Sequence, residues 1–432
     1  MTARPRLPAG AFLGGAKSRL LPPSIPLRFF GAAVAFHLVA WLTLLAGAAE
    51  LPDFAGGPGP VLAALHLVTL GVLVMSAIGA SLQLLPVATR QPVGAKTRAP
   101  AAIWWLYTPG VALLALGMGA VLPWLALIGA TAVALALLGF AALMMRNLRG
   151  ARGMPAVVAH GWAALASLVV VLATALSMVW GWLGAAPLER SASLALHVAF
   201  APYGFMGLLA LGLAYILVPM FALAPNPAER PALVSCALAV AALLLAGAAA
   251  FGVAPLPLRV AAIALGTAAV LLHLRLMRAA LAGGMRRELG RSFVLVRIGW
   301  AMLLASLALA LALVLDTPLP GLAPLFGLAV VGGWLLSFLF GMLQRILPFL
   351  ASMHASGAAR GRRPPTPSAM TAERPLAWHF ACHCGALAGL AVAIVGESPL
   401  IATAAAAPGS LGAAAFGIFF VSLLRRLRGS GA

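Results

Sequence analysis

Apolar positions along this chain neither alternate nor recur every third and fourth residue. They run in long blocks separated by short stretches that hold nearly all the charge. A membrane-crossing helix uses about 20 apolar residues, and twelve blocks of that kind can be read, over roughly 29–49, 59–87, 101–122, 123–145, 155–184, 192–223, 231–253, 255–283, 293–315, 321–351, 376–396 and 400–424. Helices are expected throughout, because a backbone crossing lipid must satisfy its own hydrogen bonds. The blocks are too long and too uniformly apolar for barrel strands. Blocks three and four are parted only by Leu122-Pro123. The expected fold is all-α, an integral membrane domain over 29–428, preceded by a basic cytoplasmic arm over 1–28 and interrupted by a flexible cytoplasmic loop at about 352–375.

Composition narrows the class further. Hydrophobic residues are 63 % of the 432 and charged residues 8 %. Water-soluble domains carry about 45–50 % and about 25 %, so a soluble enzyme and a disordered chain are excluded. The net charge is +20. It lies in short inter-block loops rather than on a nucleic-acid-binding face, so the partner implied is a lipid bilayer and not nucleic acid. With the N-terminus inside, 26 of the 28 Lys and Arg fall on the cytoplasmic side, all but Arg190 and Arg259. Five of the eight acids fall outside. The expected placement is a bacterial-type inner (plasma) membrane, with both termini cytoplasmic. Three cysteines, Cys236, Cys382 and Cys384, make no disulfide framework.

Block two reads His66, then Gly71 and Gly79, then Pro86. Block six reads His197, then Gly204 and Gly212, then Pro219. Block ten lacks the histidine and keeps the end, Ile346-Leu347-Pro348-Phe349. Blocks two, six and ten are four apart, which suggests three pseudo-repeated four-helix units. Ionisable side chains inside a membrane are functional candidates by default, and acids within the blocks are nearly absent, so the histidines carry the chemistry. His66 and His197 sit at similar depth, about five to seven residues inside the outer ends of their helices by the 1.5 Å rise of a helix. Two neutral imidazoles so placed can grip a heme iron from both faces, or simply hydrogen-bond across helices. His379, Cys382 and His383 lie within one turn and offer imidazole and thiolate to copper(I) or zinc; incidental residues at a helix entry are the plain alternative. His37, His160 and His354 are further possible ligands. His273, beside Arg275, reads as interfacial, and Arg345 as a partner for a heme propionate or a snorkelling side chain.

The segment from His66 to Pro86 resembles the second helix of subunit I of the heme-copper oxidases. The segment from His197 to Met220 is similar to the helix bearing the heme-ligand histidine pair in the cbb3-type branch, and Ile346 to His354 resembles a stretch of the NnrS group of heme- and copper-containing membrane proteins. The resemblance implies twelve helices in three four-helix units and a b-type heme held by His66 and His197. It implies a role in electron transfer, or in binding or sensing nitric oxide or oxygen, with a redox partner or a diatomic gas as the second player and copper as a further candidate cofactor. The sequence departs from the family where the copper centre belongs. It contains no His-Pro and no His-His, Pro324-Leu325-Phe326-Gly327 stands where a His-x-His is expected, and His197 and Tyr203 are six apart. A complete oxygen or nitric oxide reductase is therefore not expected. The alternatives are a polytopic transporter or copper-handling protein, and a structural subunit of a respiratory complex; the sequence leaves the oligomeric state open.

Overall fold

A computed structural model describes residues 21–91, 98–286, 288–358 and 365–429. Most of the basic arm (1–20) and part of the 352–375 loop (359–364) lie outside the described residues. The described chain is helical, with no strand. Twelve helices are long and apolar enough to cross a membrane: α1 (Ser24–Ala46), α2 (Pro60–Thr89), α3 (Arg98–Gly119), α4 (Pro123–Arg149), α5 (Pro155–Gly181), α6 (Arg190–Ala222), α7 (Glu229–Ala250), α8 (Pro255–Ala282), α9 (Gly290–Val314), α10 (Leu322–Ala355), α11 (Glu373–Val395) and α12 (Pro399–Gly429). This is a polytopic membrane protein of the all-α class.

Helix starts follow local chemistry. Proline opens α2, α4, α5, α8 and α12, where its fixed φ suits a first turn and its missing N–H costs nothing. Leu122 and Pro123 do separate α3 from α4. α1 begins at Ser24, earlier than the apolar block, because Arg28 is accommodated inside the helix. Its guanidinium sits 5.9 Å over the Trp104 ring, and its carbonyl accepts the Trp104 indole N–H at 3.1 Å. α6 is capped by the Glu189 carboxylate, which accepts from the Ser191 and Ala192 amides at 3.0 Å each. The Ser191 hydroxyl, together with these amides, holds the Glu189 carboxyl below its usual range. The cap is thus complete at neutral pH, and acidification through that lowered value removes it.

Three helices form the centre. In the apolar stretches of α2, α6 and α10, 67 %, 83 % and 67 % of residues are buried, and in no other span more than 50 %. The rest surround them in sequence order. α3 pairs with α4, α7 with α8 and α11 with α12 as tight hairpins; α4 meets α5, α8 meets α9, and α12 closes on α1. Each central helix also widens at mid-length into a π-helical turn, over Leu67–Val74, Phe200–Gly207 and Leu328–Leu336. Such turns shift the side-chain register and leave backbone groups to be met from outside. The Tyr107 hydroxyl donates to the Leu70 carbonyl at 3.1 Å in the first of these, and the Ser337 hydroxyl to the Gly332 carbonyl at 3.1 Å in the third. The α10 turn packs on those of both α2 and α6, whereas α2 and α6 touch each other at most marginally. That leaves the α2–α6 side as the loosest seam at the centre.

The ends of the helices are tied by polar latches. Asn147 of α4 donates to the Gln91 carbonyl at 3.0 Å and accepts the Thr89 hydroxyl at 2.9 Å. The Thr89 hydroxyl keeps the Leu85 carbonyl at 2.7 Å, so Asn147→Ala leaves only the Gln91 carbonyl without its donor, at a cost of about 1 kcal/mol; a lower melting temperature in detergent is the expected readout. Beyond α10, the Pro365 carbonyl accepts from the Ser352 hydroxyl at 2.7 Å. The Arg426 guanidinium reaches the Ala369 and Thr371 carbonyls at 2.9 and 2.8 Å, and Met370 is buried. Residues 365–372 are therefore fastened to the ends of α10 and α12.

Candidate functional site

His66 ends the regular first part of α2, immediately before the π-helical turn, and His197 precedes the corresponding turn of α6 by three residues. The two rings lie within electrostatic reach of one another, on the seam where the central helices pack least. Each is anchored at Nδ1. His66 Nδ1 meets the Leu62 carbonyl, one turn back, at 3.0 Å. A carbonyl only accepts, so this nitrogen carries the proton. His197 Nδ1 meets the Thr174 hydroxyl of α5 at 3.4 Å. That hydroxyl already gives its proton to the Val170 carbonyl at 2.8 Å, so here too Nδ1–H donates. Both tautomers are fixed the same way, with the Nε2 lone pair left for a ligand. Both residues are half-buried rather than sealed.

Small residues next to the pair let helices approach. A Cβ at Gly71 would come within 2.8 Å of the Phe36 ring, and one at Gly204 within 2.7 Å of the Ser167 hydroxyl. Ser167 and Thr174 both belong to α5, which thereby fixes the rotation of α6 and the direction of His197. From α10, Trp334 stacks on Tyr203 at 5.4 Å, and the Tyr203 hydroxyl donates to Ser306 of α9 at 2.9 Å.

The second expected constellation is rearranged. His379 and His383 stack at 5.6 Å, and His37 of α1 joins them, its ring 6.0 Å from His379. All three are buried. Cys382 lies on a different side of α11, against Gly412 of α12, where an added Cβ would be 2.9 Å from its own. His383 Nε2 is held at 2.8 Å by Ser337, and His37 Nε2 accepts the Trp41 indole N–H at 3.0 Å. Both nitrogens of His379 and the Nδ1 atoms of His37 and His383 are buried without partners. Phe340 fills the centre of the group, 4.4 Å from His37 and 4.6 Å from His379. Among the described residues no three His, Cys, Asp or Glu side chains are placed to hold a metal ion.

Two other expectations change. His273 is not interfacial: it is sealed inside the bundle, its ring 4.9 Å from Tyr215 of α6, which also faces His160 of α5 at 5.5 Å. His160 therefore pairs with Tyr215 and His273. Arg345 is neither free for a propionate nor snorkelling. It donates to the Ser292 hydroxyl at 2.7 Å and to the Leu289 carbonyl, holding the start of α9. His354 sits half-buried at the end of α10, with its Nε2 unpartnered. The signal missed in the sequence is Tyr215 with His273, two polar side chains in unbroken apolar blocks. No protein-family model matches this chain, and no curated protein matches it either.

Proposed function

We propose that this chain is a membrane protein of the heme-copper oxidase subunit I type, holding a b-type heme between His66 and His197 and working in electron transfer or in the binding of nitric oxide or oxygen. The observation that carries the reading is the common anchoring of the two imidazoles. A ligating histidine commonly gives its second ring proton to a carbonyl or other acceptor, which fixes its tautomer and raises its basicity. His66 and His197 both do so, on two of the three central helices, beside the loosest seam at the centre. The donor set fits an iron porphyrin, which asks for two neutral nitrogen ligands and no carboxylate. When bound, such a heme supplies reversible one-electron chemistry.

The chain's own residues do the rest. Leu62 and Thr174 aim the rings. A heme held by both imidazoles would be suited to passing electrons, and a gas would bind only where one imidazole were free of the iron. Each imidazole has a backbone carbonyl beside it, Leu62 for His66 and Val171 for His197, with the Thr174 hydroxyl as a further contact of His197. The contact order of the helices, and the three π-helical turns four spans apart, support the reading of the bundle as three four-helix repeats.

The test is heme content. Protein purified in detergent from heme-replete cells and extracted as the pyridine hemochrome is expected to carry about one b-type heme per chain, with a sharp reduced α-band. A colourless preparation contradicts the reading. The charge bias adds a second expectation. Reporter fusions at Arg90 and Arg149 score as cytoplasmic, and fusions at Asp53 and Glu189 as external; the reverse pattern overturns the orientation.

A further inference from the structure

A cavity opens at the end of the bundle away from the Arg-rich loops, where α6 begins against the turn joining α7 to α8. Its volume is about 410 Å³, within the range of small-molecule sites, about 300–1,000 Å³, and far more than a bare ion fills. Its walls are fixed in place. Leu188 is tied to α5, its amide donating to the Ser177 hydroxyl at 3.0 Å. The α7–α8 turn folds back on α7 at Gly252, whose amide donates to the Ala249 carbonyl at 3.2 Å.

Three polar features border this space. Ser193 is 1 % exposed, and its hydroxyl is buried without a partner, which is costly until something meets it. The exposed Glu189 carboxylate stands at the rim. One of its oxygens takes the Ser191 hydroxyl and the Ala192 amide; the other takes the Ser191 amide, and a second lone pair is left on it. Ala250, the last residue of α7, lines the cavity too, so the partial negative charge of that helix end borders it. The positive end of α6 is already answered by Glu189 as its cap. The remaining walls are apolar. Leu196 lines the cavity from the buried side, whereas Leu188 and Phe251 are 37 % and 67 % exposed and open it toward lipid.

These features select the occupant. A carboxylate and a helix C-terminus favour a cation. The stranded hydroxyl and the spare carboxylate lone pair ask for N–H donors, which a primary ammonium has and a quaternary ammonium lacks. An anionic headgroup would face the charge of Glu189. Arg190, exposed and next in the chain, suits a phosphate beside that ammonium, and the apolar rim suits acyl chains. We propose that this cavity seats the headgroup of one phosphatidylethanolamine molecule, with its ammonium on Glu189 and Ser193 and its chains along Leu188 and Phe251. Ser193 is one turn before His197 on α6, but neither His66 nor His197 lines the cavity.

The test uses the full-length protein in detergent, stripped of lipid, titrated with dioleoyl phosphatidylethanolamine and read by native mass spectrometry. Wild type is expected to keep one molecule per chain, and to bind the phosphatidylglycerol and phosphatidylcholine of the same chains at least fivefold more weakly. Ser193→Val and Glu189→Gln each weaken uptake of the ethanolamine lipid at least fivefold. Glu397→Gln, which removes another exposed acid, retains it. Elution as a single peak certifies the fold of each variant, and Gln keeps an acceptor for the α6 cap. If the variants do not fold, wild type decides: phosphatidylethanolamine carrying a photoreactive diazirine is expected to cross-link within residues 188–196 or 250–252. Equal binding of the three lipids, undiminished uptake by either cavity variant, or cross-links elsewhere alone overturns the proposal. Hexylamine binding as tightly as the lipid also overturns it, since the site would then take a free amine. None of these readouts needs heme, so the outcome is independent of the heme reading.

Discussion

His66→Ala is expected to yield a folded protein that has lost at least nine-tenths of its heme. His66, one of the two proposed ligands, is held by a carbonyl one turn back on its own helix that moves with it. In the proposed site, removing the imidazole would take away one of two iron bonds. His197, beside Thr174 and the Val171 carbonyl, would then be the single protein ligand left to the iron. His197→Ala is expected to be milder in one respect. It leaves the carbonyl-anchored His66 in place, so some heme stays as a five-coordinate form that binds carbon monoxide. Added imidazole restores the six-coordinate spectrum in that variant, because the half-buried position gives a small molecule entry. Thr174→Val is the finer probe. It keeps the ligand and removes its anchor, and outer partners of this kind are worth about 10–100-fold in affinity. Pyridine hemochrome content and carbon monoxide difference spectra measure all three variants. Full heme content in both alanine variants would locate the heme elsewhere.

The largest effect on stability is expected in the α3–α4 hairpin. At Gly117 an added Cβ would lie 2.3 Å from the Ala126 amide nitrogen, and at Gly129 it would lie 2.3 Å from that of Leu114. Both obstacles are backbone atoms, so no rotamer change relieves the clash and the helices must separate. Close approach through small residues is what holds helices together where lipid offers no hydrophobic drive. Gly117→Ala and Gly129→Ala each cost about 3 kcal/mol, the upper range for overpacking. Gly139→Ala, on the same helix, is the control. Its nearest neighbour would be the Ile103 side chain at 3.5 Å, an ordinary contact, so the gain in helix propensity, about 1 kcal/mol, stands alone. Scanning fluorimetry in detergent should show two clear falls in melting temperature and one small rise. Equal behaviour of the three variants would mean that α3 and α4 are not so closely apposed.

The spans were legible because lipid imposes one rule on every segment: length and apolarity suffice, whatever the neighbours are. Even the Leu122-Pro123 break was readable, since a proline that opens a helix is a local signal. α1 began earlier than the apolar block because Arg28 finds its partner, Trp104, on α3, and no reading along the chain reveals a contact across helices. His66 and His197 stood out through a shared pattern of histidine, glycines and proline. The π-helical turns after them did not, because nothing in the residue types distinguishes a shift of one backbone register. Tyr215 and His273 were hidden for a similar reason. When every face of a helix is apolar, periodicity no longer tells an inward position from an outward one, and one polar side chain carries no direction. Cys382 shows the converse error. Three residues from His379 it shares a turn, yet it faces Gly412 of the neighbouring helix, and closeness in sequence did not become closeness of donor atoms.

The central claim is that two histidines on the central helices α2 and α6 hold one heme. Low-temperature electron paramagnetic resonance of the oxidised, purified wild-type protein, with near-infrared magnetic circular dichroism on the same sample, tests it most directly. The account predicts a single low-spin ferric heme with two imidazole ligands. A high-spin heme, a histidine–methionine pair, or the absence of any ferric heme signal from heme-replete preparations would contradict it.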